Sequence, residues 1–137
     1  MSKYEDILNS KGYLITTANG TSMLPLIRPK KDSIFIKKGI PKKYDVVLYK
    51  RDDGKYILHR ILNVVNDEYV ICGDNQFVKE YGINNKHILG VMEGFYRDNR
   101  YVDVGSLRYK MYVYIWCKSF RVRRFIMRSF EVINKLR

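Results

Sequence analysis

Tyr56-Ile57-Leu58-His59-Arg60-Ile61-Leu62-Asn63-Val64-Val65, then Asn66-Asp67, then Tyr69-Val70-Ile71-Cys72, is the stretch that sets the fold class. Both apolar runs are rich in β-branched and aromatic residues, and Asn-Asp between them is a turn signal. The same signature recurs on either side. Tyr13–Thr17, Ile34–Ile36 and Val46–Tyr49 precede it, and Ile88–Tyr96 and Tyr101–Val104 follow, with turn signals at Asp52-Asp53-Gly54 and Asp98-Asn99. Residues 3–9 read instead as a short helix with Tyr4, Ile7 and Leu8 on one side, ended by Lys11-Gly12. Many short strands with close turns predict a mostly β fold, a compact antiparallel sheet or barrel.

Gly105-Ser106 opens a different regime, with Ser106 as a plausible N-cap. Leu107, Met111, Tyr114, Ile115, Val122, Phe125, Ile126, Ile133 and Leu136 follow helical spacing and share one face. Lys110, Arg121, Arg124, Arg128 and Lys135 share another, and Lys118 violates the apolar stripe. With no Gly or Pro inside 106–137, the segment is one long basic amphipathic helix or two stacked ones. The expected organisation is a β-rich domain at 1–105 and a basic helical extension at 106–137.

The whole chain has 137 residues and a net charge of +12, and its 14% aromatic content supplies enough burial to exclude disorder. The charge is uneven: residues 106–137 carry nine basic residues against Glu131 alone. Such an end suits an anionic partner, whether lipid headgroups, an acidic peptide or nucleic acid, the last disfavoured because no recognition motif accompanies the charge. Alternatively, the stripe packs on the β-domain and the basic face is merely solvated. Cys72 and Cys117 fit no metal or redox spacing and are expected as free thiols in a reducing compartment. The first residues are polar, and the longest apolar run, Met111 to Cys117, is far short of the roughly 20 residues that cross a bilayer. The expectation is a cytoplasmic protein without a transmembrane segment, peripheral at the membrane through residues 107–136.

Three stretches could carry chemistry. In Asn19-Gly20-Thr21-Ser22-Met23-Leu24-Pro25, glycine allows a sharp turn that presents Ser22, Met23 can bury beside it, and Pro25 fixes the exit. Alone, this is equally a Gly/Pro loop with a capping serine. His59 lies within an apolar strand and is either a satisfied core residue or a base whose ordinary pKa of about 6.5 suits proton transfer. Gly73-Asp74-Asn75 follows a β-run; it is a common turn, but Asp74 could also hold a histidine in the right tautomer. His87, in Asn85-Lys86-His87-Ile88, has no such context and belongs to a loop or strand edge.

Taken in order, Ser22-Met23-Leu24-Pro25, then His59-Arg60-Ile61, then Gly73-Asp74-Asn75 resembles the signal peptidase I and LexA-like serine peptidases. More narrowly, it is similar to the branch in which histidine replaces the general-base lysine, as in endoplasmic-reticulum and archaeal signal peptidases. Asp45-Val46-Val47-Leu48-Tyr49 also resembles the strand that precedes the base in that family. The likeness spans about residues 12–96. It implies a serine endopeptidase in which Ser22 is the nucleophile, His59 the base and Asp74 the acid behind it. Gly20, Thr21 and Met23 would surround the substrate carbonyl and its oxyanion. The chain departs from the pattern in lacking an N-terminal anchor, in carrying Gly20 two before the serine, and in Tyr44 before Asp45. Where the histidine branch has a second aspartate, this chain has Glu80, either a functional replacement or a surface charge.

The expected activity is leader- or signal-type processing of a peptide or precursor protein by a Ser-His(-Asp) mechanism. No metal or cofactor is called for, and activity should fall below a histidine pKa near 6–7. The alternative is a peptidase-like binding module that recruits membrane or nucleic acid through its basic helix. A self-cleaving regulator is the weaker expectation, because the first 12 residues are too short for a DNA-binding domain and the usual lysine base is replaced.

Overall fold

The computed structural model describes residues 3–135. A short helix, α1 (Lys3–Lys11), precedes eight strands: β1 (Tyr13–Thr16), β2 (Ser33–Lys37), β3 (Val46–Lys50), β4 (Tyr56–Val65), β5 (Glu68–Cys72), β6 (Glu80–Asn84), β7 (Ile88–Arg97) and β8 (Arg100–Asp103). Two helices follow, α2 (Leu107–Cys117) and α3 (Phe120–Lys135). Every strand pairing is antiparallel. The strands form one sheet in the order β1-β2-β7-β3-β4-β5-β6, with β8 also on β7. The sheet is open, so of the two expected forms it is the sheet and not the closed barrel.

Strand alternation gives the sheet two buried faces. Along β3, Val46 and Leu48 join one apolar cluster while Val47 and Tyr49 join the other. The first cluster takes Leu8 of α1, Ile34 and Ile36 of β2, Met23 and Ile27 of the loop after β1, and Tyr109, Val113, Trp116 and Cys117 of α2. Residues beyond 105 thus share a core with the sheet. The change at 105–106 is one of local regime, from strand to helix, within that shared packing. The second cluster holds Ile61, Tyr69, Ile71 and Ile83.

The C-terminal segment is two helices, broken at Lys118-Ser119, and Ser106 caps the first by accepting from the Tyr109 amide. In α2 the stripe does not pack on the sheet. Leu107, Met111, Tyr114 and Ile115 are exposed, and Tyr109, Val113, Trp116 and Cys117 face the sheet. Both sides of α2 are apolar, so periodicity could not choose between them. Hydrogen bonding does: the sheet beneath presents the buried polar pair Arg60 and Asp74, and only the Tyr109, Tyr112 and Trp116 side of α2 offers it partners. In α3, Val122, Phe125 and Ile133 of the stripe are also exposed and Ile126 is half-buried. Leu136 lies outside the described residues. Lys118 is no violation, since its ammonium lies 5.8 Å from the Tyr44 ring centre and 4.8 Å from that of Tyr114. No described helix is long and apolar enough to cross a membrane.

Candidate functional site

The loop from Thr17 to Asp32 carries Ser22 in a run of turns, and Leu24-Pro25 is cis. The buried Met23 side chain pins this loop to the first core cluster. The Gly73-Asp74-Asn75 turn grips it from outside. The Asn75 amide donates to the Ser22 carbonyl at 2.8 Å, and the Asn75 side-chain Nδ2 donates to the Thr21 carbonyl at 3.1 Å. Gly73 permits that approach, because a Cβ there would lie 2.6 Å from the Ser22 carbonyl oxygen.

Against this loop stands His59 on β4, whose Nε2 is 3.1 Å from Ser22 Oγ. The two residues that the motifs single out as nucleophile and base therefore meet within hydrogen-bond reach. On the far side of the ring, His59 Nδ1 is 3.3 Å from the Tyr49 hydroxyl, which donates to Glu80 Oε1 at 2.6 Å. Register explains the meeting: His59 is paired with Val47, so Tyr49, two residues on, is its diagonal neighbour on the same face. Glu80 is also bound by Arg51 through Nε and Nη2, each at 2.9 Å.

This chain of bonds fixes the histidine tautomer. Burial first, with the hydrogen bond to Glu80 after it, pushes the Tyr49 phenol well above its ordinary range, so it keeps its proton. That proton is committed to Glu80, so the Tyr49 oxygen can only accept from Nδ1–H. Nε2 is left as a bare acceptor for the Ser22 hydroxyl, the form a general base requires. Burial, with the Arg51 charge, lowers the His59 pKa to about 4, against the opposing pull of Glu80 and Asp74, so the ring is neutral at pH 7. The surroundings thus hold the His59 pKa below the roughly 6–7 expected of an unperturbed histidine. Burial alone would raise the Glu80 carboxyl, but the hydrogen bonds from Arg51 and Tyr49 outweigh it and hold the group below its ordinary range.

Asp74 does not take the place expected for it. Its carboxylate accepts two bonds from Arg60, at 2.9 and 2.8 Å, and one from the Tyr112 hydroxyl at 2.7 Å. The reason is the strand period: His59 and Arg60 are consecutive in β4 and point to opposite faces, and Asp74 lies on the Arg60 side. Arg60 also donates to the Tyr44 carbonyl and the Tyr109 hydroxyl, and Trp116 Nε1 donates to the Asp74 carbonyl at 2.7 Å. The Gly-Asp-Asn turn thus seats the serine loop, while Glu80, acting through Tyr49, stands behind the histidine. Of these, sequence reasoning missed Tyr49 and Arg51. The signal available was the Tyr49 hydroxyl following the apolar run Val46-Val47-Leu48 in β3.

A cleft of about 550 Å³ opens beside the dyad, lined by Gly20, Ser22, Met23 and His59. Thr21 is not part of the lining; its carbonyl accepts from Leu24 and Asn75. Thr16 and Ala18 form one flank and Tyr56 to Leu58 the other. Thr16 and the Tyr56–Leu58 segment lie on strand edges that are unpaired among the described residues, while the Ala18 carbonyl accepts from the Lys30 amide. β1 pairs only with β2, and β4 pairs with β5 only from Arg60 onward, which leaves the Tyr56–His59 edge away from β3 without a partner. A second cleft of about 600 Å³ lies on the other side of His59, between Arg51, Glu80 and residues 75–79. His87 sits apart in a turn, its Nε2 2.9 Å from Asp52. Cys72 and Cys117 are buried free thiols. Among the described residues no cluster of His, Cys, Asp and Glu is arranged to hold a metal ion.

Comparison with protein-family models and with curated proteins gives no match to this chain.

Proposed function

We propose that this chain is a serine endopeptidase of the signal peptidase and LexA-like kind, cutting an extended segment of a peptide or precursor protein. The observation that carries the reading is the 3.1 Å approach of Ser22 Oγ to a neutral His59 whose other nitrogen is already engaged. Ser22 attacks the peptide carbonyl while Nε2 takes the hydroxyl proton, and the imidazolium later returns it to the leaving amine. The positive charge formed on His59 is met by the Tyr49 oxygen and, one hydroxyl further, by the Glu80 carboxylate. Backbone N–H groups of the Gly20–Met23 turn supply the oxyanion donors, each worth a few kcal/mol in such sites. The two free strand edges flanking the cleft suit a substrate added as a further strand.

A binding module that has lost catalysis has less to recommend it, because nothing in such a role needs the Glu80-Tyr49-His59 order of donors and acceptors. The test is labelling by a fluorophosphonate probe, read by mass spectrometry. Wild-type protein should carry the adduct on Ser22, and Ser22→Ala and His59→Ala should carry none. Failure of the folded wild-type protein to label, or labelling that survives Ser22→Ala, would overturn the proposal.

A further inference from the structure

Apart from the Ser22 cleft, the molecule has a second built surface. α2 and α3 turn large apolar side chains to solvent: Leu107, Met111 and Tyr114 are 75%, 55% and 67% exposed, and Phe125 and Phe130 are 72% and 62% exposed. At 100° per residue, Val122, Phe125, Val132 and Ile133 share one side of α3, and Arg121, Arg124, Arg128 and Lys135 the next. A strip through Phe120, Arg123, Ile126 and Met127 remains to seat the helix. Beside α2 runs the loop Lys37-Lys38-Gly39-Ile40-Pro41-Lys42-Lys43, four lysines bracketing an isoleucine that is 89% exposed. A groove of about 640 Å³ joins loop and helix, with Met92, Val104 and Val113 in its lining and Lys42, Lys110 and Lys118 among the cations around it.

We propose that this surface, the 37–43 loop with the outer faces of α2 and α3, docks the protein on an anionic lipid bilayer. Exposed apolar residues flanked by cations are what an interfacial helix presents: the apolar side enters the headgroup boundary and the cations meet lipid phosphates. A nucleic acid would use the cations but not the aliphatic groups, since Leu107, Met111, Ile40 and Ile133 cannot stack on bases. A second copy would set one strongly basic surface against another, which like-charge repulsion opposes. The surface is separate from the dyad, and its test does not depend on catalysis.

The experiment is co-sedimentation of the full chain with vesicles of phosphatidylcholine alone and with phosphatidylglycerol at about 3:1. Binding to the anionic vesicles should exceed binding to the neutral ones at least tenfold and should weaken as salt rises, because surface charges are screened. Met111→Glu, Phe125→Glu and Ile40→Glu alter solvent-facing side chains, and the first two should each weaken anionic binding about tenfold. Equal binding to both vesicles, no binding to either, or full binding by Met111→Glu and Phe125→Glu together would overturn the proposal. So would a DNA oligonucleotide held more tightly than the vesicles, or a dimer in sedimentation velocity that Met111→Glu dissociates.

Discussion

Asp74→Asn is expected to unsettle the fold far more than the chemistry. The Arg60 and Asp74 side chains are both fully buried, and the carboxylate accepts the guanidinium fork and the Tyr112 hydroxyl. Asparagine keeps the shape but offers one acceptor oxygen where two are used. Its NH2 then points at a donor, and the buried guanidinium loses its counter-charge. Removing one partner of a buried ion pair costs about 3–5 kcal/mol. A domain of ordinary stability holds about 5–15 kcal/mol in total. The variant should therefore fold marginally, with Tm lowered by roughly 10–20 °C. The assay is urea unfolding followed by fluorescence of Trp116, the one tryptophan, whose indole donates to the Asp74 carbonyl. In parallel, probe labelling of Ser22 is measured at a temperature where the variant stays folded, and there it should proceed near the wild-type rate. An unchanged urea midpoint together with labelling lost by orders of magnitude would refute the reasoning and return Asp74 to the role of histidine orienter.

Tyr49→Phe removes the acceptor of His59 Nδ1–H, and losing one neutral hydrogen bond should slow labelling by about 10-fold, as timed labelling at pH 7 will show. The acid limb of the labelling profile should fall near pH 4, since burial and Arg51 lower the His59 pKa to about 4. Arg51→Met should move that limb up and Glu80→Gln should move it down, because the first charge disfavours the imidazolium and the second favours it. The same depressed pKa makes the unfolded state bind the proton first. Through His59, stability should thus decline by roughly 3 kcal/mol as pH falls from 6.5 to about 4, and His59→Gln should remove that part of the decline, leaving the loss near pH 4 that protonation of the Glu80 carboxylate brings, as urea midpoints will show. Gly73→Ala places a Cβ 2.6 Å from the Ser22 carbonyl oxygen; a serine displaced by about 1 Å should label about 100-fold more slowly, and a wild-type rate would show that the turn does not seat the serine loop.

Much of this was legible in residue order. Turn signals and β-branched runs located seven of the eight strands, and the family likeness of the Ser22-Met23-Leu24-Pro25 and His59-Arg60-Ile61 stretches singled out side chains that do meet. β6 escaped notice because Glu80-Tyr81-Gly82-Ile83-Asn84 has a glycine at its centre and buries only Ile83. The Asp74 role was misjudged for a different reason. Adjacency of His59 and Arg60 in sequence means opposition across the sheet, and a motif does not say which of the two a distant carboxylate joins. Glu80 reaches His59 through a residue from a third strand, and no local pattern in 76–80 encodes Tyr49. Whether Leu107 and Met111 turn outward to a membrane or inward to the sheet is open in the sequence because α2 is apolar on both sides, and the choice rests on the buried pair beneath it.

Arg123 gives this architecture a direction in time. The buried guanidinium lies 4.5 Å from the Phe120 ring centre and donates to the carbonyls of Trp116, Gly73 and Gln76, the last at 2.6 Å. The turn that clamps the Ser22 loop is therefore braced by side chains translated some 40 to 50 residues after it, Tyr112 and Trp116 on Asp74 and then Arg123 on Gly73. A ribosome-bound chain that has made Ser22, His59 and Asp74 but not yet Arg123 holds every residue of the motifs without the brace that sets them in register. Synthesis itself then completes the brace only after every residue it holds has been made.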